Sequence, residues 1–224
     1  MNAASAELWQ GVVESIQIGR IAPLGPEGVL SGFIKKAVSG PMEAGPLGIS
    51  GDQQADLTVH GGPDKAVYFY PSEHYTAWAI DVPQHSGRLV PGGFGENVTC
   101  RWFDERVAAI GDQFSIGTCT MQITQPRQPC FKLGLRFGDD TLVRQMVVSG
   151  RTGWYARVLA PGVIQAGDDL RLLRRPSPHW TIARFNQFIL RRKESMADYP
   201  EVIALEGLAA TWRDGLTERL RRGD

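Results

Sequence analysis

Glycine and proline divide this 224-residue chain into two parts, because both are frequent up to about Pro178 and sparse after it. Frequent turn residues keep the intervening segments short, and short segments rich in β-branched and aromatic residues are typical of strands. Many short strands at close spacing favour a barrel or a sandwich. We therefore predict a mainly β fold before Pro178 and a small helical unit after it.

The strand predictions rest on period-two alternation between turn residues. A hairpin is predicted around Gly117, with Cys119, Met121 and Ile123 on one face of its second strand. Together the predicted strands cover residues 8–18, 66–70, 113–116, 118–124, 152–159 and 169–173.

Two helices are expected to interrupt these strands. Pro71 is predicted to open the first, at the position where its missing N–H costs nothing, and the helix runs to about Ile80. Asp139 or Asp140 can cap the second, whose apolar residues at 142, 143, 146 and 147 share one face.

Three further helical patterns follow the linker at residues 174–178. Thr181 can cap the first, Pro200 opens a short second, and residues 208–220 carry apolar side chains at four-residue spacing. A bundle this small has little stability alone. Its apolar faces need a partner surface, which the barrel or a second copy of the chain in a homodimer would provide.

Charge and composition exclude several classes. Lys plus Arg equals Asp plus Glu, 24 against 24, so the chain lacks the basic field of a dedicated nucleic-acid-binding protein. No apolar stretch approaches the ~20 residues of a membrane helix, and no secretory signal is expected. The cysteines, Cys100, Cys119 and Cys130, are odd in number and without a CxxC pair, so free thiols in a reducing cytoplasm are expected.

The segment QPRQPC places Cys130 on a conformationally restricted backbone with cationic side chains nearby. Two prolines fix the backbone in front of the thiol, and Arg127 and Lys132 flank it. Nearby cations favour the thiolate, which attacks electrophiles or binds soft metals. A buried structural cysteine is the alternative, and it suits Cys119 on its apolar strand face better than it suits Cys130.

Three other stretches carry candidate residues. In HGGPDK, two glycines allow close backbone approach to an anion, with His60 and Lys65 as further donors, although an ordinary turn with an exposed histidine explains this stretch better when it is taken alone. In GGFGENV, Asn97 offers a donor and an acceptor, or a turn residue at a bulge. Of Lys35 and Lys36, only one can share a strand face with Phe33, so one of the two can point inward.

Known catalytic and metal motifs are missing from the sequence. It contains no HExxH, GxSxG, P-loop or tandem-cysteine pattern, which disfavours zinc. A Cys–His hydrolase that pairs Cys130 with His60 remains open on residue types alone.

Four stretches together resemble the MOSC family, named for the C-terminal part of molybdenum cofactor sulfurase, and in particular its YiiM-like branch, associated with resistance to hydroxylaminopurine. They are GISGDQQADLTVHGGPDKAVYFYPSEHY, FGENV, QPRQPCFKL and TGWYARVLAPG, in the order that the family shows. The resemblance implies a bent β-barrel domain over residues 1–176. The rest of the chain, 177–224, resembles the three-helix extension of that branch.

The resemblance also implies a cofactor. MOSC proteins bind molybdenum cofactor, a pterin whose dithiolene sulfurs hold the metal and whose tail carries a phosphate. Cys130 matches the cysteine that supplies a thiolate to molybdenum. The cofactor-binding residues expected from the resemblance are Lys35, His60, Gly61, Asn97, Gln125 and Arg127.

The implied reaction is the two-electron reduction of an N–OH group to N–H, on hydroxylaminopurine-type bases or amidoximes. His60 is the expected proton donor, and a partner flavoprotein reductase would supply electrons, since the chain has no flavin or nicotinamide fingerprint. Related reductases carry an arginine one or two residues before the matched Asn97, where this chain has Gly95 and Glu96. The alternative is a carrier of molybdenum cofactor or sulfur without its own redox turnover.

Overall fold

Short strands separated by turns form a closed barrel. The computed structural model describes residues 10–57, 60–191 and 196–223, so Leu8, the predicted start of the first strand, lies outside the described residues. The strands are β1 (Gln10–Gly19), β2 (Ala22–Leu24), β3 (Val29–Ser31), β4 (Lys35–Val38), β5 (Met42–Gly45), β6 (Gly48–Ile49), β7 (Val67–Pro71), β8 (Val98–Arg101), β9 (Gln113–Ile116), β10 (Cys119–Pro126), β11 (Trp154–Ala160), β12 (Gly162–Ile164) and β13 (Asp169–Arg174).

The barrel wall has the strand order β13-β9-β10-β11-β7-β8-β1, and β1 pairs back onto β13 to close it. Closure leaves the wall without a free edge strand, which is how barrels avoid edge-to-edge aggregation. β7 and β8 run parallel, so the barrel is mixed. β4 pairs with the C-terminal half of β1, which extends the sheet beyond the ring and helps to bend it.

Helices cover one side and one end of the barrel. They are α1 (Glu73–Asp81), α2 (Phe131–Phe137), α3 (Thr141–Ser149), α4 (Ile182–Leu190), α5 (Tyr199–Ile203) and α6 (Ala210–Arg222). Short 3-10 helices lie at Pro63–Lys65, Pro83–Arg88 and Met196–Asp198. Within the described ranges, no helix combines the length and the apolar composition that a membrane span requires.

β7 is buried on both faces and separates two hydrophobic cores. Val67 and Phe69 pack inside the barrel. Tyr68 and Tyr70 point to the opposite face, as the period of a strand requires, and pack in a second core under α1, α2 and α3. This second core is largely aromatic and places α2, with the residues that precede it, against the barrel wall.

Several sequence predictions are confirmed. β9 and β10 form the expected hairpin around Gly117, and Cys119, Met121 and Ile123 are buried. Thr181 caps α4, since its side chain accepts a hydrogen bond from the Arg184 N–H. The two C-terminal helices after α4 lie where Pro200 and the four-residue spacing predicted them.

The start predicted for α1 is wrong. Pro71 is the last residue of β7, in register with Cys100 of β8, and α1 begins at Glu73. The Ser72 N–H donates to the Cys100 carbonyl at 2.7 Å, so parallel pairing continues the strand through the proline. This pairing is long-range, and the local proline signal cannot reveal it.

The C-terminal helices pack on the barrel. Trp180, Phe185 and Tyr199 belong to the same core as the barrel residue Phe114. Backbone hydrogen bonds join the two parts as well, such as Ile182 N–H to the Ala108 carbonyl at 2.8 Å. The barrel therefore provides the partner surface that the apolar faces of these helices need, whereas a division into two domains at residue 176 stays a prediction.

This shared core predicts a single unfolding transition. Phe185→Ala removes a fully buried ring and should lower the free energy of unfolding by ~3–5 kcal/mol. Leu190→Ala is the matched control on α4, because Leu190 is 43% exposed and its loss should cost only about 0.5 kcal/mol. Urea unfolding monitored by both tryptophan fluorescence and far-UV circular dichroism measures both effects. Coincident transitions are expected, and a separate early transition of the helices would contradict the shared core.

Candidate functional site

A cleft of about 630 Å³ opens where the β10–α2 junction, β4 and the turn after residue 59 meet. The side chains that line it include those of Lys35, Asp52, His60, Asn97, Arg127 and Cys130, together with Lys65 and Lys132. Tyr68, from the outward face of β7, contributes to the floor together with Tyr155. The cleft is therefore built on the strand that separates the two cores.

Cys130 sits at the N-terminus of a helix that the sequence analysis did not predict. Its backbone is extended (φ −120, ψ 174), and α2 begins at the next residue, Phe131. The backbone N–H of Lys132 donates to the Cys130 sulfur. Because the first N–H groups of a helix have no partner within it, they are free to stabilise a thiolate.

His60 is the partner of this thiol. Its Nε2 lies 3.5 Å from Cys130 Sγ. Burial by itself would raise the pKa of Cys130, but the hydrogen bond from His60, the charge of Arg127 and the Lys132 N–H outweigh it and lower the pKa to about 7. Burial raises the pKa of Cys119 to about 11 instead. Cys130 is thus the cysteine that is partly ionised at neutral pH.

Arg127 is a buried cation that no carboxylate of the described residues pairs with. It is 5% exposed, and its guanidinium lies over the rings of Tyr68, at 5.5 Å, and Phe33, at 5.8 Å. Its Nη1 is 3.0 Å from the sulfur of Met146. None of the ion pairs in the described part of the chain involves Arg127. Since an unpaired buried charge is costly, this position favours an anionic ligand in the cleft.

Lys35 points inward and Lys36 is exposed. This agrees with the prediction that only one of the two lysines can point inward. Lys35 Nζ lies 2.5 and 2.6 Å from the two oxygens of Asp52, with side chains 6% and 1% exposed. Burial lowers the pKa of Lys35, and Asp52 opposes that effect. The charge of Lys35 is therefore already balanced, unlike that of Arg127.

Asp52 organises this side of the cleft, and the sequence analysis did not single it out. Besides Lys35, its carboxylate accepts hydrogen bonds from the Asn97 amide at 2.9 Å and the Gly19 N–H at 2.6 Å. The Asn97 side-chain oxygen in turn accepts from the Tyr68 N–H at 3.2 Å. Asn97 is thus fixed by β7 on one side and by Asp52 on the other.

Gly95 and Glu96 occupy the place where related reductases have an arginine. Gly95 lines the cleft, whereas the Glu96 carboxylate is fully buried away from it. It accepts hydrogen bonds from the Gly92 N–H at 2.7 Å, the Phe94 N–H at 3.2 Å and the Tyr75 hydroxyl. Glu96 therefore shapes the glycine loop and supplies no cation to the cleft.

The predicted site residues divide into two groups. The structure brings Lys35, His60, Asn97, Arg127 and Cys130 together in the cleft. Gly61 and Gln125 are not among the lining residues, so their assignment rests on the resemblance alone.

The His60–Cys130 contact predicts how the thiol titrates. In the wild type, alkylation of Cys130 by iodoacetamide, followed by mass spectrometry, should rise with pH around a midpoint of about 7. His60→Ala removes the hydrogen bond and should move the midpoint upward, so that reaction at neutral pH slows. His179→Ala is the control, because His179 is exposed. An unchanged midpoint in His60→Ala would mean that the contact does not stabilise the thiolate.

Comparison with known proteins agrees with this architecture. Residues 56–171 match the MOSC domain. Protein YiiM of Escherichia coli (strain K12) is 34% identical over 198 residues, 88% of either chain. A protein of Gibberella moniliformis named "Reductase" is 35% identical over 215 residues, which cover 94% of this chain and 38% of that longer one.

A solved structure extends the likeness to the whole fold. The crystal structure of YiiM from Geobacillus stearothermophilus superposes with a TM-score of 0.79 at 31% identity, covering 94% of this chain and 99% of that chain. The match spans the C-terminal helices as well as the barrel. The chain therefore belongs to the MOSC domain family, as a YiiM-like member.

Proposed function

We propose that this protein binds molybdenum cofactor and reduces N-hydroxylated compounds, such as hydroxylaminopurine-type bases and amidoximes, to amines. The observation that carries the proposal is the Cys130 thiol, held partly ionised beside the buried Arg127 guanidinium, which forms no ion pair within the described ranges. Membership of the MOSC family supports the cofactor, and the name of the Gibberella relative supports reduction.

The residues of the cleft fit this cofactor. A thiolate suits molybdenum, a metal that this cofactor already holds through its dithiolene sulfurs. The planar guanidinium of Arg127 can donate two parallel hydrogen bonds to the phosphate or the pterin. The His60 Nδ1 atom is buried without a hydrogen-bond partner in the described residues, so it too is available to a ligand. When bound, the cofactor supplies two-electron redox chemistry at the metal.

The protein's own part is orientation and proton transfer. The overall reaction breaks the N–O bond, consumes two electrons and two protons, and releases water. We assign the His60 proton to Nε2, since the Cys130 thiolate at 3.5 Å is an acceptor. Held there, the proton lies beside the metal ligand, where it can protonate the leaving hydroxyl. Asp52 keeps Lys35 and Asn97 in place on the opposite wall.

The electrons come from another protein under this proposal, and a flavoprotein reductase in the cytoplasm is the expected donor. The sequence carries no flavin or nicotinamide fingerprint of its own. An artificial donor, such as reduced methyl viologen, can replace that partner in a test.

A carrier of molybdenum cofactor or sulfur would use the same residues without turnover. Protein produced in cofactor-competent cells should contain molybdenum if it is the reductase or a cofactor carrier, whereas a sulfur carrier would hold sulfur on Cys130. Turnover of 6-hydroxylaminopurine with reduced methyl viologen separates them, because only the reductase forms the amine. A Cys–His hydrolase would contain no molybdenum.

Cys130→Ser should abolish N-hydroxyl reduction and lower molybdenum content while the fold stays intact, because an alcohol is a poor ligand for this metal. Cys119→Ser is the control, since Cys119 is buried in the barrel wall and far less acidic. It should lose some stability and retain its activity per molybdenum. Metal analysis, melting temperature and turnover are measured for both. Full activity in Cys130→Ser would exclude the metal-ligand role.

Arg127→Gln should weaken cofactor binding by about tenfold or more, since charge-assisted contacts of this kind contribute ~1.5–3 kcal/mol. Lys36→Gln is the matched charge control, because Lys36 is exposed outside the cleft. Pterin content is measured by fluorescence after oxidative release from the purified proteins. Equal pterin content in the two variants would place the anion site elsewhere.

A further inference from the structure

The C-terminal helices touch the turn that carries His60. Asp64, four residues after His60, accepts a hydrogen bond from the backbone N–H of Ala210 at 2.9 Å. Ala210 is the first residue of α6. The other Asp64 oxygen lies 2.8 Å from Arg157 on β11. One carboxylate thus joins the turn, the barrel wall and the start of the last helix.

Neighbouring contacts reinforce this junction. The Asp64 backbone carbonyl accepts from the Thr124 hydroxyl at 2.7 Å, and the Thr124 carbonyl accepts from the Ala209 N–H at 3.1 Å. Arg157 also donates to the Gly207 carbonyl at 3.0 Å. The segment around residues 207–210 is therefore linked to Asp64 directly and through two residues of the barrel wall.

The turn between His60 and Asp64 combines two flexible glycines with the stiffer Pro63. The intervening residues include Gly61 and Gly62, and Gly62 has a φ of 90, which favours glycine. His60 is held on one side by the hydrogen bond from its N–H to the Asp56 carbonyl at 3.0 Å. On the other side a flexible glycine pair follows it, so its direction also depends on what holds the far end of the turn. Asp64 is at that end, within the 3-10 helix Pro63–Lys65.

We propose that Asp64 is a positioning residue through which the C-terminal helices hold His60 against Cys130. Asp64 does not line the cleft, so it acts through the turn and not on a ligand. The inference concerns the placement of His60 and holds whether or not the protein reduces N-hydroxylated substrates. Under it, the C-terminal helices complete the site and do not merely cover the barrel.

The sharpest variant is Ala210→Pro. Proline at the first helical position removes one N–H and leaves the helix hydrogen bonds intact. Ala209, with φ −56 and ψ 137, already has the conformation required before a proline, and Ala210 is exposed. The substitution therefore removes the bond to Asp64 with little other change. Asp64→Ala removes both the bond to α6 and the ion pair with Arg157.

Glu206→Ala is the matched control. Glu206 pairs with Arg174 and so also links the C-terminal segment to the barrel, through two exposed side chains and without a bond to Asp64. If Asp64 had only a structural role, all three variants would lose stability and leave the chemistry of Cys130 unchanged. The rate of Cys130 alkylation as a function of pH therefore distinguishes a positioning role of Asp64 from a role in stability alone.

The experiment measures iodoacetamide alkylation of Cys130 against pH by mass spectrometry, in folded full-length protein without added cofactor. We expect the midpoint to rise in Ala210→Pro and Asp64→Ala, with a rate at pH 7 at least ~3-fold below the wild type, because a displaced His60 no longer stabilises the thiolate. Asp64→Asn keeps an acceptor for Ala210 and should restore part of that rate. If the pH dependence of Cys130 alkylation in Ala210→Pro is the same as in the control Glu206→Ala, the proposal is overturned. This holds whatever Asp64→Ala shows.

Discussion

The burial of β7 on both faces is the constraint on which the rest of the structure depends. A strand with apolar side chains on both faces needs two cores, and the sequence Val67–Pro71 meets this by sending aliphatic and phenyl groups inward and tyrosines outward. The outward tyrosines hold α2 and α3 on the barrel wall. Cys130 then stands at the start of α2, above Tyr68, so the placement of the thiol follows from the packing of a single strand.

Two of the buried cations that line the cleft, Lys35 and Arg127, have different partners, and the difference gives the site its chemistry. Lys35 is neutralised by Asp52, which makes that wall rigid and nearly without net charge. Arg127 makes none of the ion pairs in the described residues; aromatic rings, the Tyr155 hydroxyl and a methionine sulfur surround its guanidinium, and its charge acts on the Cys130 thiol. One wall therefore fixes geometry, while the other stabilises negative charge.

The sequence predicted the features that depend on residues adjacent in the chain. The prolines and cations around Cys130 indicated a thiolate, and the barrel strands followed from turns and alternation. The sequence did not reveal α2, because Pro129 before Cys130 suggests a turn, although Leu133 and Phe137 lie one helical turn apart before Gly138, a left-handed C-cap. Lys132 was expected to act by its side-chain charge, yet its backbone N–H makes the contact. The sequence did not reveal the role of Asp52, because its partners, Lys35 and Asn97, come from distant segments of the chain.

The closure of the barrel has a consequence for synthesis on the ribosome. β1 is made first, yet its register with β13 pairs Gln10 with Arg171, so the ring cannot close until most of the chain has been translated. At ~5–20 residues per second, this wait is roughly 10–30 s. Until β13 has been made, the N-terminal half of β1 presents a free strand edge, which is a template for pairing with other chains. Nascent or truncated chains should therefore depend on chaperones far more than the finished protein does.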